Sequence, residues 1–245
     1  MTKRRPFPPA GAHGDLVEVF AGIHFVTGSM TISGPLPVRF SRNMTIVAED
    51  GEVTLINSVR LNEAGLKAVE ALGNVSNIIR IAGFHGRDDP FYKDRYGATV
   101  WSVDAPYVPG FDSKAEPYFS PDIVIDRDTG LPLKNARLAL FESTATAEGL
   151  LLLERDGGIV VSGDCLQNWA TTNRYFNLPA RLMMRMMGFI KPHNIGPGWR
   201  KVAKPDPDEI RSILAGMEFD HVLPAHGDPV KGNARQLYAP AVAAL

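Results

Sequence analysis

With a single cysteine, Cys165, the 245-residue chain can form no disulfide within itself. That fits a reducing compartment. No apolar stretch approaches the ~20 residues that a membrane-spanning helix needs. Met1 to Pro9 is basic and proline-rich but has no apolar segment behind it, so it does not read as a secretory signal. A frayed arm is expected over residues 1–15, and the cytoplasm is the expected location. An excess of charge of one sign is also missing. The 26 Lys and Arg against 27 Asp and Glu leave a formal net charge of -1, with no bulk field to draw nucleic acid or anionic lipid. A small molecule is the expected partner, and neither nucleic acid nor a membrane is. No internal repeat, low-complexity block or linker is visible, which leaves one domain over residues 16–245.

What is present is an ordinary globular composition, 44% hydrophobic and 22% charged. Leu16 to Met30 alternates loosely and predicts one or two strands. Met44 to Asn57 predicts a hairpin, because two β-branched runs flank Asp50-Gly51, a dipeptide that tolerates the positive φ angles of a tight turn. Asn62 to Leu72 predicts a helix with Asn62 as N-cap and Gly73 just past its end. Val75 to Ala82 predicts the next strand. Strand, helix, strand is a crossover unit and implies some parallel pairing. A helical turn is expected over Asp89 to Tyr96, a strand over Ala98 to Val103, and a Pro/Gly loop from Ala105 to Tyr118. Strands are predicted at Asp122 to Asp126 and Ala136 to Phe141, and a second hairpin over Gly149 to Ser162. Helices follow at Pro179 to Ile190 and Asp206 to Met217, then a strand at Phe219 to Pro224 and a helix over Asn233 to Leu245. Two mixed sheets packed face to face under outer helices satisfy this order, although periodicity does not select that over one open sheet.

Three of the predicted strands end in residues that ligate metals. Ile78 to Gly83 runs into His85, Arg87, Asp88 and Asp89. Ile159 to Ser162 runs into Gly163-Asp164. His221 to Ala225 runs into His226-Gly227. Carboxylates and imidazoles are the donors that hard or borderline divalent ions accept. Each signal taken singly has a plainer explanation, since a lone histidine is often structural and Gly-Asp is often a turn.

Residues 44–230 resemble the metallo-β-lactamase fold superfamily. Leu55-Ile-Asn57 resembles the end of its opening strand pair, where an Asp is usual at the Asn57 position. Ile79 to Asp89 resembles the segment carrying its His-x-His-x-Asp-His signature, Gly163-Asp164 the bridging aspartate, and Leu223 to Gly227 the final histidine motif. The order and spacing of all four agree. The resemblance implies a four-layer αββα sandwich of two mixed β-sheets flanked by helices. It implies metal-dependent hydrolysis of an ester, thioester, lactone or similar small substrate.

The signature is incomplete. Read from His85, it runs His85-Gly-Arg87-Asp-Asp89-Pro90, with Arg87 and Pro90 in place of two histidines. A register two residues earlier makes His85 the second histidine but loses the aspartate, so the first register is preferred. The Thr/Ser-rich stretch Glu142 to Glu148 lacks the third histidine. The first metal position is therefore too poor in ligands, and the second keeps Asp89, Asp164 and His226. One divalent ion (Zn, Mn or Fe) is expected there, with His85 moving protons and Arg87 stabilising an anionic substrate. In the metal-free alternative, Arg87 pairs with Asp88, Asp89 or Asp164, and the protein is a non-catalytic member that binds a small molecule or a protein. In either case His85, Asp89, Asp164 and His226 should share one cleft, with Arg87 turned into it.

Other residues read more plainly. The helix with Arg181, Arg185 and four methionines reads as a core or homodimer-interface helix rather than a membrane-surface one, and otherwise as a lid over an apolar substrate. Trp169, Arg174 and Tyr175 follow Asp164 and read as surface packing, with lining of the cleft as the alternative. His24 and His221 read as structural, His193 as a loop residue, and Cys165 as unmarked for nucleophilic work.

Overall fold

A computed structural model describes residues 7–109 and 115–245. The first six residues of the expected arm, and Gly110 in the expected Pro/Gly loop, lie outside them. The first half of the chain forms β1 (Val17–Phe20), β2 (Ile23–Ile32), β3 (Val38–Glu49), β4 (Glu52–Ile56), α1 (Glu63–Glu70), β5 (Asn74–Arg80), α2 (Asp89–Tyr96), β6 (Thr99–Val103) and β7 (Ile123–Ile125). These strands make one sheet in sequence order, antiparallel from β1 to β4 and parallel from β4 to β7. The second half forms β8 (Ala136–Leu140), β9 (Gly149–Leu153), β10 (Ile159–Ser162), β11 (Leu166–Gln167), α3 (Leu178–Met186), β12 (Asn194–Ile195), α4 (Pro197–Ala203), α5 (Pro207–Ala215), β13 (His221–Pro224), β14 (Val230–Lys231) and α6 (Ala234–Ala243). Its main sheet runs β14-β13-β10-β9-β8, with β10 and β13 parallel and the other pairs antiparallel.

The two-residue period of the strands sorts side chains into layers. Ile56 and Ile79 from the first sheet meet Leu151, Leu153, Ile159 and Val161 from the second, between the sheets. Val53, Leu55 and Ile78 face the other way, onto Leu66 and Val69 of α1 and Phe91 and Tyr92 of α2. Leu150, Leu152 and Val160 turn outward onto Trp199, Ile210, Leu214 and Tyr238 of α4, α5 and α6. The result is the αββα sandwich that the resemblance implied. No helix of the described residues is long and apolar enough to cross a membrane.

Both predicted hairpin turns form, with Asp50 and Gly51 at positive φ in the first and Asp156, Gly157 and Gly158 in the second. Asn62 caps α1 as expected, its side chain accepting from the Gly65 amide at 2.9 Å. Two expectations need correction. The arm does not fray through residue 15. His13 bridges Gly28, the Gly14 amide donates to the Thr27 carbonyl at 2.8 Å, and Phe7 meets Phe91 edge-on. In addition, β3 begins at Val38 rather than Met44. Its first half holds Ser41, Arg42 and Asn43, which are polar yet buried, so no hydrophobic alternation marks it.

Leu151 and Leu152 lie on opposite faces of β9 and are buried equally well. Leu151→Ala and Leu152→Ala should each lower stability by about 2–5 kcal/mol in urea unfolding. A cost at one position and none at the other would contradict four layers.

Candidate metal centre

The sheets meet at the rim where β5 and β10 end. Beyond β5 the chain leaves the first sheet, and the Gly149 amide donates to the Ile81 carbonyl at 2.8 Å. The Gly83 amide donates to the Ala147 carbonyl at 2.8 Å. The first sheet's loop is thus stitched to the start of β9. The loop after β10 comes so close that a Cβ on Gly163 would lie 2.3 Å from the Ala82 Cβ. Glycine is the residue that allows this approach. On the third side, Asn43 reaches across the rim. Its side-chain amide donates to the Pro224 carbonyl at 2.8 Å and the Gly227 carbonyl at 2.6 Å, pinning the loop that bears His226. Buried Arg80 secures the His85 loop by donating to the Ala82, Gly83, Ala105 and Pro106 carbonyls while lying over the Tyr107 ring.

Three loops so fixed bring His85, Asp164 and His226 together, with one ligand atom from each within 4.8 Å of the others. His85 Nε2 lies 3.1 Å from Asp164 Oδ2, and His226 Nε2 lies 3.2 Å from Asp164 Oδ1. Their side chains are 5%, 15% and 7% exposed in the order His85, Asp164, His226. Trp169 covers the His226 ring at 4.8 Å between centroids, and its Nε1 donates to Ser41 Oγ at 2.9 Å. Trp169 is therefore a buried wall of the site and not surface packing.

Protons decide what this cluster can hold. His226 Nδ1 faces the Ser41 carbonyl at 3.4 Å. A carbonyl only accepts, so the ring's hydrogen belongs on Nδ1, and in the neutral ring Nε2 presents a lone pair to Asp164. Burial pushes the His85 imidazole below its ordinary value, outweighing the pull of Asp164. Burial alone would raise Asp164, but the positive charge that His226 and His85 carry in their protonated forms holds it well below the usual carboxylate range. Asp164 Oδ2 has no hydrogen-bond partner. A carboxylate facing two imidazole nitrogens, one of its oxygens unpaired, calls for a positive charge between them. A divalent ion fits, and the donor set of two imidazoles and one carboxylate is a workable one with open positions.

Glu148 lies beneath Asp164 and was not singled out from the sequence. It closes the stretch Glu142 to Glu148, which holds no histidine. Its carboxyl accepts from the Cys165 amide at 2.6 Å and from the Asp164 amide. Burial, then the charge of Asp164, pushes it well above 4.5. The two neighbouring acids are thereby shifted in opposite directions. Burial likewise pushes the Cys165 thiol up, away from a nucleophile's range.

Two expected site residues are not where the sequence placed them. Asp89 is the first residue of α2 and fully buried. Ser58 Oγ donates to one of its oxygens at 2.6 Å and the Tyr107 hydroxyl to the other at 2.7 Å. Both oxygens are occupied, burial raises its carboxyl, and Asp89 does not join the metal cluster. The signature register preferred for retaining Asp89 loses its support. Arg87 is exposed and makes no ion pair with Asp88, Asp89 or Asp164. The guanidinium beside these acids is Arg42, from the unforeseen half of β3, which pairs with Asp88. The Arg60 amide also donates to Asp88, at 2.8 Å. A short buried chain from β3 reaches Asp88 directly, so the exposed arginine is not needed there. His193 packs edge-on against Tyr238, and His221 accepts from the Gly232 amide at 2.8 Å, so both are structural.

No family description matches the sequence, and no curated protein matches it. Solved structures do. TMB-1, a structure described with its substrate and inhibitor binding, is 13% identical with a TM-score of 0.63, over 97% of this chain and 99% of that one. The metallo-β-lactamase of Hirschia baltica is 14% identical with a TM-score of 0.57, over 96% and 98%. The metallo-β-lactamase FIM-1 of Pseudomonas aeruginosa, in a mono-zinc form, is 12% identical with a TM-score of 0.58, over 97% of each chain.

The raised Glu148 carboxyl gives a pH test. The folded chain keeps a proton that the unfolded chain releases above 4.5. Stability contributed by this group therefore falls as pH rises from there towards the folded value. Glu148→Gln has no proton to lose, so with chelator present its stability relative to wild type should climb over that window in urea unfolding. A difference that does not change with pH would contradict the assignment.

Proposed function

On the metallo-β-lactamase fold that this chain has, we propose that His85, Asp164 and His226 hold one divalent ion and that the site hydrolyses a small ester, thioester, lactone or similar carbonyl substrate. The observation that carries this reading is the facing of a carboxylate and two imidazole nitrogens at 3.1 and 3.2 Å. The ion, when bound, supplies Lewis acidity towards a carbonyl and a water. The chain supplies the rest. Asp164 brings the negative charge. The Ser41 carbonyl sets the His226 ring so that Nε2 faces inward. Trp169 and Phe40 keep water from the outer side of that ring. To Arg87, exposed two residues from His85, this reading gives the role of meeting an anionic group of the substrate. A reducing compartment such as the cytoplasm suits the lone, buried Cys165.

One observation favours a second reading, a non-catalytic protein that binds a small molecule. The acids of the signature segment are already satisfied from within, Asp88 by Arg42 and Asp89 by Ser58 and Tyr107. The same observation argues against a second ion in the hydrolase.

Untagged protein purified without added zinc should contain about one metal equivalent, as three ligands with open positions allow. Asp164→Asn and His226→Ala should lose the metal and hydrolysis of an ester and lactone panel together, whereas Asp89→Asn should keep both. Metal-free protein that hydrolyses nothing would make the binding reading the correct one. Two equivalents would exclude both readings of the signature segment.

A further inference from the structure

The net charge of -1 conceals a segregation. Residues 165–205 contain seven Lys or Arg and no Asp or Glu, so the rest of the chain carries a formal -8. This stretch includes α3, whose amphipathic order is reversed. Its Ala180 and Met184 pack against Trp169 and Phe176. Leu178, Leu182 and Met186 follow at the i, i+4, i+8 spacing of one helical stripe, and they are 78%, 63% and 80% exposed. At 3.6 residues per turn that stripe lies roughly 180° around the helix from the buried pair. Arg181 and Arg185 run along its flank, both exposed.

The neighbouring tip of the β2–β3 hairpin continues the ridge. Asn177, the N-cap of α3, donates to the Pro37 carbonyl at 2.8 Å and accepts from the Arg39 amide at 3.1 Å, which ties the two elements together. Leu36 at that tip is 66% exposed. Arg39 and Lys191 add two exposed cations. None of Arg39, Arg181, Arg185 and Lys191 forms an ion pair with a described residue. Apolar side chains along the crest with cations beside them match the interface of an anionic bilayer. Leucine and methionine enter the acyl boundary, while arginine heads stay at the phosphates. A second copy of the chain fits poorly, because a two-fold contact would set the same arginines against each other.

We propose that α3 and the β2–β3 tip form a docking surface for anionic phospholipid membranes. The surface backs onto the metal centre, since the far side of α3 packs on Trp169, which itself covers His226. Docking would hold the site close to the bilayer surface.

The test is sedimentation of the full chain with vesicles of phosphatidylcholine alone or mixed equally with phosphatidylglycerol. The wild type should sediment with the mixed vesicles at least tenfold more strongly than with phosphatidylcholine alone, and high salt should weaken it. The exposed substitutions Leu182→Gln and Met186→Gln, made together, should reduce binding at least tenfold without changing the unfolding midpoint. Arg181→Glu with Arg185→Glu should abolish it. The same charge change made elsewhere, at Lys67 and Lys134, should leave most of it. Three results would overturn the proposal: no binding by the wild type, equal loss in the remote-charge variant, or a dimer in solution that Leu182→Gln dissociates.

Discussion

Asp164 carries a negative charge into a place with little access to water, and the rim of the sandwich is arranged around that cost. Burial would protonate the carboxyl. Two imidazoles aimed at it reverse that effect when they carry a positive charge, and each comes from a different part of the chain. Convergence of this kind needs three loops held in place, and here most of the holding contacts are to backbone, with buried Arg80 securing the His85 loop. The backbone of the first sheet is stitched to β9, Gly163 lets two loops nearly touch, and Asn43 clasps the His226 loop. The buried charges that remain near the site are paired or hydrogen-bonded elsewhere, as isolated ones would be prohibitive.

The segment after β5 obeys the same constraint. Around Asp88 and Asp89 this chain places an internal network. Arg80 lies over Tyr107, Tyr107 donates to Asp89, and Arg42 meets Asp88. A carboxylate whose two oxygens are both hydrogen-bonded from the protein side has little left to offer an ion. The network also gives the His85 loop a rigid base.

Much of this was legible in the sequence. The apolar runs of β4, β5, β9 and β10, the Asp50-Gly51 turn and the Asn62 cap are local signals, and they gave the layers. His85, Asp164 and His226 each stand just after such a run, so their convergence could be anticipated from the pattern and the resemblance. What could not be read was which neighbouring polar residues turn inward. Asp89 and Arg87 occupy motif positions, yet the first residue of α2 faces the core while Arg87 faces water. Arg42 and Asn43 precede the recognisable part of β3, because buried polar residues chosen for particular partners break the hydrophobic alternation. Glu148 left a fainter trace, a single acid set directly against the apolar run of β9. The charge segregation of residues 165–205 was present in the sequence throughout, and the near-zero total concealed it.

The central claim is that one positive charge belongs between His85, Asp164 and His226. It is tested most directly by anomalous diffraction from crystals of the chain grown with zinc, recorded at the metal's absorption edge. The account predicts one peak, roughly 2.0–2.2 Å from a nitrogen of each histidine and from an Asp164 oxygen, with none beside Asp89. A peak coordinated by Asp89, or well-ordered crystals with no peak at the three residues, would contradict it.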